Sequence, residues 1–393
     1  MGTVADAKSG NGKLIKGKQY NEPGVGRYPG FSATGQDIFC DVYDHDRDAI
    51  IISAVGARCG KCFLASGKWT AVANTHVLLP DVKQIDNKCL WYMVNDEMFW
   101  VRSGTAQSFV KVRKSLEIEI PVPPLPEQRR IVSAIETQLG RLDATVARLH
   151  AANAKLKRYK QAVLKAAVEG RLENPDNPEG ELPQGWRHVE IKDIAELLNG
   201  DRGKNYPSSK HYVDEGAPFI NTGHIEPTGQ LSEERMNYIT RKRFDILNAG
   251  KIIKGDIVYC LRGATLGKTA IVDLEEGAIA SSLMIIRLNA NISREFIYYY
   301  LTGDLGRRNI QEYDNGTAQP NLPGKSVGKY LVPLPPYDEQ LRIVEHVGVR
   351  LTEIEHLGAT LDAQLAQSTR LRQAALKRAF EGRLVGGVEP RIR

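Results

Sequence analysis

The chain has 393 residues, too many for one ordinary core, so two to four folded units are expected. It is 42% hydrophobic and 25% charged, which supplies real cores and excludes a compositionally disordered protein. Its net charge of +6 is a mild bias toward anionic partners and decides little alone.

No run approaches the roughly 18 apolar residues of a membrane span, and Met1-Gly-Thr-Val-Ala-Asp lacks the apolar stretch of a signal peptide, so the chain is read as cytoplasmic. Five cysteines, an odd number, argue against a disulfide framework.

Residues 1–122 read as a first β-rich domain. Its "DAIIISAVGARCGKCFLA" and "WTAVANTHVLL" are short β-branched runs punctuated by Gly and Asn, the grammar of strands and tight turns. Residues 123–172 read as a long helix. Val132, Ile135, Leu139, Leu142, Val146, Leu149, Asn153, Leu156, Lys160 and Val163 step by three and four, a heptad stripe sustained for more than four heptads. Pro126 and Glu127 suit its first turn and Gly170 its stop, giving a helix over about 127–169, roughly 65 Å long at about 1.5 Å per residue. Such a narrow stripe needs a partner helix.

A Pro-, Asn- and Gly-rich linker at 173–185 opens a second β-rich domain that runs to 334. "KIIKGDIVYCLRGATLGKTAIV" and "GAIASSLMIIRL" repeat the strand grammar, and "SREFIYYYLTGDLGRR" predicts short helices. Residues 335–384 form the second long helix. Val344, Val347, Leu351, Ile354, Leu361 and Leu365 keep the stripe while Gly358, Ser368 and Arg372 interrupt it, and Gly382 is the expected stop. A tail, 385–393, ends the chain.

The two halves are copies. "PPLPEQRRIV" returns as "PPYDEQLRIV", "KAAVEGRL" as "KRAFEGRL", and Gly104-Thr-Ala-Gln107 as Gly316-Thr-Ala-Gln319, all at an offset of 212 residues. Upstream the offset drifts. Gly56-Ala-Arg58-Cys59-Gly60-Lys61 matches Gly263-Ala-Thr-Leu-Gly267-Lys268 at 207, and 4–10 matches 194–200 at 190. The first helix leads into the second domain and the second leaves it, so helices paired along their length must be antiparallel. The expected architecture is α+β: two small β-rich domains joined by two long antiparallel helices, an intramolecular coiled coil with a pseudo-twofold repeat.

Catalytic constellations are not found. "RGATLGKT" misses the P-loop because only three residues separate Gly263 from Gly267 and the first copy ends in Cys62, with no hydroxyl for magnesium. Leu334-Pro-Pro-Tyr337 lacks the polar residue that amino-methyltransferases place first. Cys59, Cys62, Cys40 and Cys89 could form a four-thiolate zinc site, but Leu266 and Thr269 replace Cys59 and Cys62 in the second copy, which favours small buried side chains. Eight scattered His residues, His76 among them, form no His-x-x-x-His pair and no Ser/His/Asp set.

Together the Gly-Thr-Ala-Gln segments, the Pro-Leu-Pro-Pro-x-x-Glu-Gln starts of both helices, the Glu-Gly-Arg-Leu ends, Leu182-Pro-Gln-Gly-Trp186, and Gly-Ala-x-x-Gly-Lys in each half resemble the DNA-specificity subunit of type I restriction-modification systems. The resemblance covers nearly the whole chain. It implies a non-catalytic protein with two target-recognition domains, each reading half of a split DNA sequence. It further implies spacer helices that set the gap and dock two methyltransferase subunits, with restriction subunits joining through the complex. Methyl donor and ATP belong to those partners, so no cofactor is expected here. On this reading Leu139, Leu142, Leu149, Leu156, Leu351, Ile354, Leu361 and Leu365 are spacer-helix positions.

Candidate DNA contacts are Arg58, Lys61, Arg262 and Lys268 at the turns, Lys204 and Lys210 in a divergent loop, and Gln107, Gln319 and Asn321 for adenine. Residues 13–27 are the matching divergent loop of the first half. Gly-Ala-x-x-Gly-Lys, being shared, is equally a structural turn. The first half lacks a counterpart of Trp186, and tail 385–393 is expected to complete it. Competing readings are a coiled-coil scaffold whose β-rich modules bind protein or glycan, and the specificity component of another methyltransferase-nuclease system.

Overall fold

The computed structural model describes residues 1–15, 17, 19–105, 107–178, 180–313 and 321–380. In chain order it has β1 (Ala5–Ser9), β2 (Tyr28–Ser32), β3 (Gly35–Cys40), β4 (His45–Asp46), β5 (Ala49–Ser53), β6 (Cys62–Ala65), β7 (Lys68–Ala71) and β8 (Thr75–Pro80). Then come α1 (Asn87–Val94), β9 (Arg102–Ser103), β10 (Phe109–Val110), α2 (Val112–Ser115) and the long α3 (Leu125–Val168). The second half has β11 (Arg187–Glu190), α4 (Ile191–Ile194), β12 (Ala195–Asn199), β13 (Tyr212–Val213), β14 (Ala217–Ile220), β15 (Asn237–Ile239) and α5 (Arg241–Asp245). It continues with β16 (Lys251–Ile253), β17 (Ile257–Cys260), β18 (Thr269–Ile271), β19 (Glu276–Ile279) and β20 (Leu283–Leu288). It ends with α6 (Arg294–Thr302), α7 (Asp304–Tyr313), α8 (Gly324–Val327), β21 (Leu331–Leu334) and the long α9 (Tyr337–Phe380).

Two compact units result. One joins Met1–Leu149 to the chain from Ala363; the other is His150–Asp362. Each therefore contains one β-rich domain and half of each long helix.

In the first unit one sheet runs β1-β8-β5-β6 and another β3-β2-β7-β4. Strand β5 is buried at every position, and its period of two divides it between cores. Ile50 and Ile52 join Cys59, Cys62, Leu90, Val94 and Trp100, whereas Ala49 and Ile51 join Phe31, Trp69 and Val77. A run of β-branched residues buried on both faces reads as continuous apolar sequence, which is why "AIII" showed no alternation.

The second unit repeats this plan. Its sheets run β12-β20-β17-β18 and β13-β15-β14-β19-β16. Ile257 and Tyr259 of β17 face the cluster containing Phe296, Tyr300 and Tyr330, while Val258 and Cys260 face that of Ile220 and Leu283. The repeat holds residue by residue: Ile50 pairs with Leu78 and Leu64 as Ile257 pairs with Ile286 and Ile271. The second sheets each contain one parallel pair, β2 with β7 and β14 with β19.

The heptad stripe is buried or half-buried along its length, as its spacing predicts. In the first unit Ile131, Ile135 and Leu139, with Leu142 at the edge, cluster with Leu376, Ala379 and Phe380. In the second, Leu156 lies 3.8 Å from where a Cβ on Gly358 would stand, and Asn153 Nδ2 donates to Asp362 Oδ1 at 3.5 Å. Both contacts run antiparallel. Leu149 and Ile354 are buried, and Leu351, Leu361 and Leu365 are half-buried. The interruptions fit: Ser368 is buried with its hydroxyl on the Gln364 carbonyl, and Arg372 pairs with Asp143. Each buried Leu or Ile adds about 1.5–3 kcal/mol, so helices that could not stand alone hold as a pair.

Helix α3 stops where glycine allows it. Gly170 has φ +69°, Arg171 N–H donates to the Ala166 carbonyl at 2.8 Å and Gly170 N–H to Ala167 at 3.3 Å, a Schellman cap. Gly382 lies outside the described residues. Both helix starts are tied to their domains by a buried glutamine. Gln128 Oε1 accepts from Asp86 N–H at 2.7 Å while Nε2 donates to the Gln84 and Pro123 carbonyls at 2.9 and 2.7 Å. Gln340 Oε1 accepts from Ser293 N–H at 2.8 Å and Nε2 donates to the Pro335 carbonyl at 3.0 Å. Asp86 and Ser293 are the N-caps of α1 and α6.

One departure matches the sequence. Trp186 donates to Glu339 Oε1 at 2.9 Å and β11 pairs with β21, but among the described residues no strand pairs with 119–122, the positions matching β21. Tail 385–393 lies outside the described residues. Among them no helix is long and apolar enough to cross a membrane.

Candidate nucleic-acid interface

The two copies of Gly-Ala-x-x-Gly-Lys are one structure built twice. Gly56 and Gly60 have φ +94° and +95°, Gly263 and Gly267 +79° and +82°, conformations only glycine takes freely. Cys59 N–H donates to Gly56, Gly60 to Ser53 and Lys61 to Arg58 at 2.9–3.1 Å; Leu266 donates to Gly263, Gly267 to Cys260 and Lys268 to Thr265 at 2.9–3.0 Å. Three amides of each turn are taken by backbone carbonyls of the turn and of the strand before it. A phosphate cradle draws on successive free N–H groups, and three in each turn are already taken, which tells against nucleotide binding there.

The cysteine question resolves the same way. The Cys62 thiol donates to the Gly60 carbonyl at 3.4 Å, and in the second unit the Thr269 hydroxyl donates to Gly267 at 2.9 Å. Burial pushes both Cys62 and Cys89 up to about 12, so they are packed thiols. Cys40 and Cys59 are likewise free and buried, and no metal-holding group of His, Cys, Asp or Glu occurs among the described residues. His76 is a packed residue that burial holds below the usual imidazole range.

Four segments converge beside each turn. Gly10 N–H donates to Thr75, Ala54 to Asn74 and Val110 to Ala54, all at 2.9 Å. The matching bonds run from Gly200 to Leu283, Leu261 to Ser282 and Leu322 to Leu261. Bridges Val55–Phe109 and Arg262–Asn321 complete the match. One end of the β1-β8-β5-β6 sheet, and of its copy, thus carries the exit of the first strand, the glycine turn, a strand connection and the segment after Gly-Thr-Ala-Gln.

Arg58, Gln107 and Arg262 stand exposed at this end, and Asn321 is half-buried beside Arg262. The Arg58 and Arg262 guanidinium groups have no ion pair or hydrogen bond among the described residues. Arg202, absent from the sequence-based set, joins them by donating to the Ser281 carbonyl at 3.4 Å. The repeat could not reveal it, because it lies in the divergent loop. Gln319 lies outside the described residues.

Lys204 is exposed on the loop that leaves this end. Asp201, buried at its base, accepts from Gly203 and Asn248 N–H at 2.6 and 2.8 Å, and these bonds hold its carboxyl below the usual range. Lys210 sits on a short 3₁₀ turn leading into β13 of the other sheet. Lys268 points inward: its Nζ donates to the Ile225 carbonyl at 3.3 Å. Lys61, its twin, lines a groove and makes no such bond among the described residues. In the first unit the divergent loop is built differently, with the Arg27 guanidinium 3.5 Å from the Tyr20 ring centroid and Asn11 donating to Asp44 at 3.0 Å. The shared parts are backbone turns; the exposed side chains differ.

Comparison with known proteins agrees. The family model described as type I restriction modification DNA specificity domain matches residues 2–158 and 183–355. The EcoBI specificity subunit of a type I restriction enzyme from Escherichia coli is 27% identical over 307 residues, which cover 72% of this chain and 63% of that subunit. The EcoDI specificity subunit, also from Escherichia coli, is 25% identical over 407 residues, covering 96% and 86%. A solved chain described under complex assembly and conformational transition of the type I R-M system shares this fold at TM-score 0.70 and 18% identity, covering 97% of this chain and 98% of its own. With two matched segments on two copies of one design, the chain belongs to the type I restriction-modification DNA specificity family.

Proposed function

We propose that the chain is a DNA-reading subunit for a split, asymmetric site, one half per β-rich domain. The carrying observation is the doubled sheet end: identical backbone turns in identical register, flanked by unlike exposed side chains. Copies of a reading module related by a pseudo-twofold produce two half-sites, and unlike side chains make those half-sites unlike.

Within each domain, cations supply phosphate contact and planar polar groups read base edges. Arg58 and Arg262 suit guanine O6 and N7; Gln107, Asn321 and Gln319 suit adenine; Lys204 and Lys210 suit phosphate. The antiparallel helices act as the ruler and as the docking surface for two methyltransferase subunits, through which restriction subunits join, in the cytoplasm. Methyl transfer and ATP-driven chemistry belong to those partners, and this chain needs no cofactor.

The test is co-expression with its methyltransferase partner followed by sequencing of the methylome. A single two-part asymmetric motif supports the reading, and methylation with no motif refutes it. Deleting one heptad from each helix in register shortens the ruler by about 10 Å with about 20° of rotation, so the gap should contract by about three base pairs. An unchanged gap removes the ruler role.

A further inference from the structure

The two domains differ at a place where everything around it is equivalent. In the second unit the connection between β14 and β15 folds back over the open edge of β18. Three donors hold it: Ile271 N–H to the Gly229 carbonyl at 3.2 Å, Lys268 Nζ to Ile225 at 3.3 Å, and the Tyr298 hydroxyl to Thr228 at 3.3 Å. Ile225 is 1% exposed. Gly229, at φ +83°, lies so close that a Cβ would stand 2.1 Å from the Tyr298 hydroxyl.

The first unit keeps the frame, with the Trp91 indole N–H turned onto the Cys62 carbonyl at 3.1 Å, and among the described residues lacks the occupant. Lys61, Leu64 and Trp91 match Lys268, Ile271 and Tyr298: the same place in the turn, the same register on the edge strand, the same place after the N-caps Asp86 and Ser293. Ser53 N–H bonds Lys61 as Cys260 N–H bonds Lys268, so antiparallel alternation turns the Leu64 N–H outward as it does that of Ile271. But β2 and β3 are joined by a tight turn at 33–34, and among the described residues no segment arrives. Instead a groove of 520 Å³ opens, lined by Phe31, Lys61, Phe63, Leu64, Trp91 and Arg372 among others.

We propose that this groove binds an extended peptide segment of a partner protein, with an apolar residue followed by an acidic one and a glycine three positions later. The second unit's own loop, Ile225-Glu226-Pro227-Thr228-Gly229, is the template. The peptide adds to the edge of β6, its carbonyls take the Leu64 N–H and the Lys61 ammonium, its apolar side chain enters between the aromatic rings, and its glycine passes the face of Trp91. The acidic residue answers the Lys61 ammonium, as Glu226 is attracted by Arg235 and Lys268 in the second unit. The site goes beyond DNA reading and does not rest on it.

The probe is a fluorescein-labelled peptide of the sequence of residues 224–231, titrated by anisotropy against the full chain. Saturable binding is expected, with the Gly229→Ala peptide and the Ile225→Ser peptide each about tenfold weaker. Leu64→Pro removes the edge donor at a position where the ladder tolerates proline and should weaken binding about tenfold, with some loss of melting temperature because Leu64 also packs against the core. Should that variant fail to fold, Lys61→Met provides the same test through the second donor. Absence of saturation up to about 1 mM, or equal binding of a scrambled peptide, overturns the proposal.

Discussion

The ion pair ahead of β17 offers a test of how far the two domains are one design. Asp256, with a side chain 1% exposed, accepts from Arg287 Nε at 3.0 Å and Nη2 at 2.8 Å, and from Ile253 N–H at 2.9 Å. By strand register the matching residues in the first unit are Ala49 and Leu79, both buried. Arg287→Leu leaves a buried carboxylate with one remaining donor and should cost about 3–5 kcal/mol. Asp256→Ala leaves a guanidinium 28% exposed, which can turn to water, and should cost about 1–3 kcal/mol. The double variant installs the apolar solution of the first unit and should lie within about 1 kcal/mol of wild type, a coupling of about 3 kcal/mol or more. With two compact units the chain is not a two-state folder, so the assay is hydrogen exchange of the peptide covering β20, read in each single and in the double. If the double loses as much protection as the singles combined, the reasoning is wrong.

Gln128→Leu removes three hydrogen bonds to backbone groups and Gln340→Leu two, so losses of about 3 and 2 kcal/mol are expected in the first and second units respectively. Exchange of the α1 and α6 amides checks them; equal changes in both helices from either variant would contradict the assignment. Gly267→Ala forces a side chain to φ +82° and should cost about 1–2 kcal/mol by hydrogen exchange of the peptide covering β18, with DNA readout impaired at one half-site only. For Cys62 and Cys89, burial raises the thiol value from 9.0 to about 12, so the neutral form is favoured by folding. Their contribution is fully present below about 9 and is lost as pH rises toward 12, and both thiols should resist alkylation at pH 8 until the chain is unfolded. Rapid labelling of the native chain at that pH would contradict this packing.

Much of the architecture was legible because it rests on local period. The heptad steps from Val132 to Val163 and the glycines at 56, 60, 263 and 267 each need only their neighbours to be understood. The doubled motif also dismissed the phosphate cradle before any hydrogen bond was seen. What was hidden depends on distant segments. Lys268 is a candidate DNA contact in the sequence, which could not reveal that its ammonium also meets the Ile225 carbonyl, more than forty residues away. Arg202 gains its place through Ser281. The Glu-Gln repeat was visible, but that its glutamine clamps an N-cap could be learned only once α1 and α6 were in position. Gln319 and the tail expected to complete the first domain lie outside the described residues.

The hydrogen bonds of Gln128 and Gln340 go to main-chain atoms: the N–H of an N-cap and the carbonyls of Gln84, Pro123 and Pro335. Every residue but proline offers that amide, and every residue offers a carbonyl. The socket therefore does not inspect which side chains the domain carries. At these two anchors a domain with other side chains can meet the helix unchanged, whereas the Lys88–Glu136 and Trp186–Glu339 contacts couple particular side chains to it.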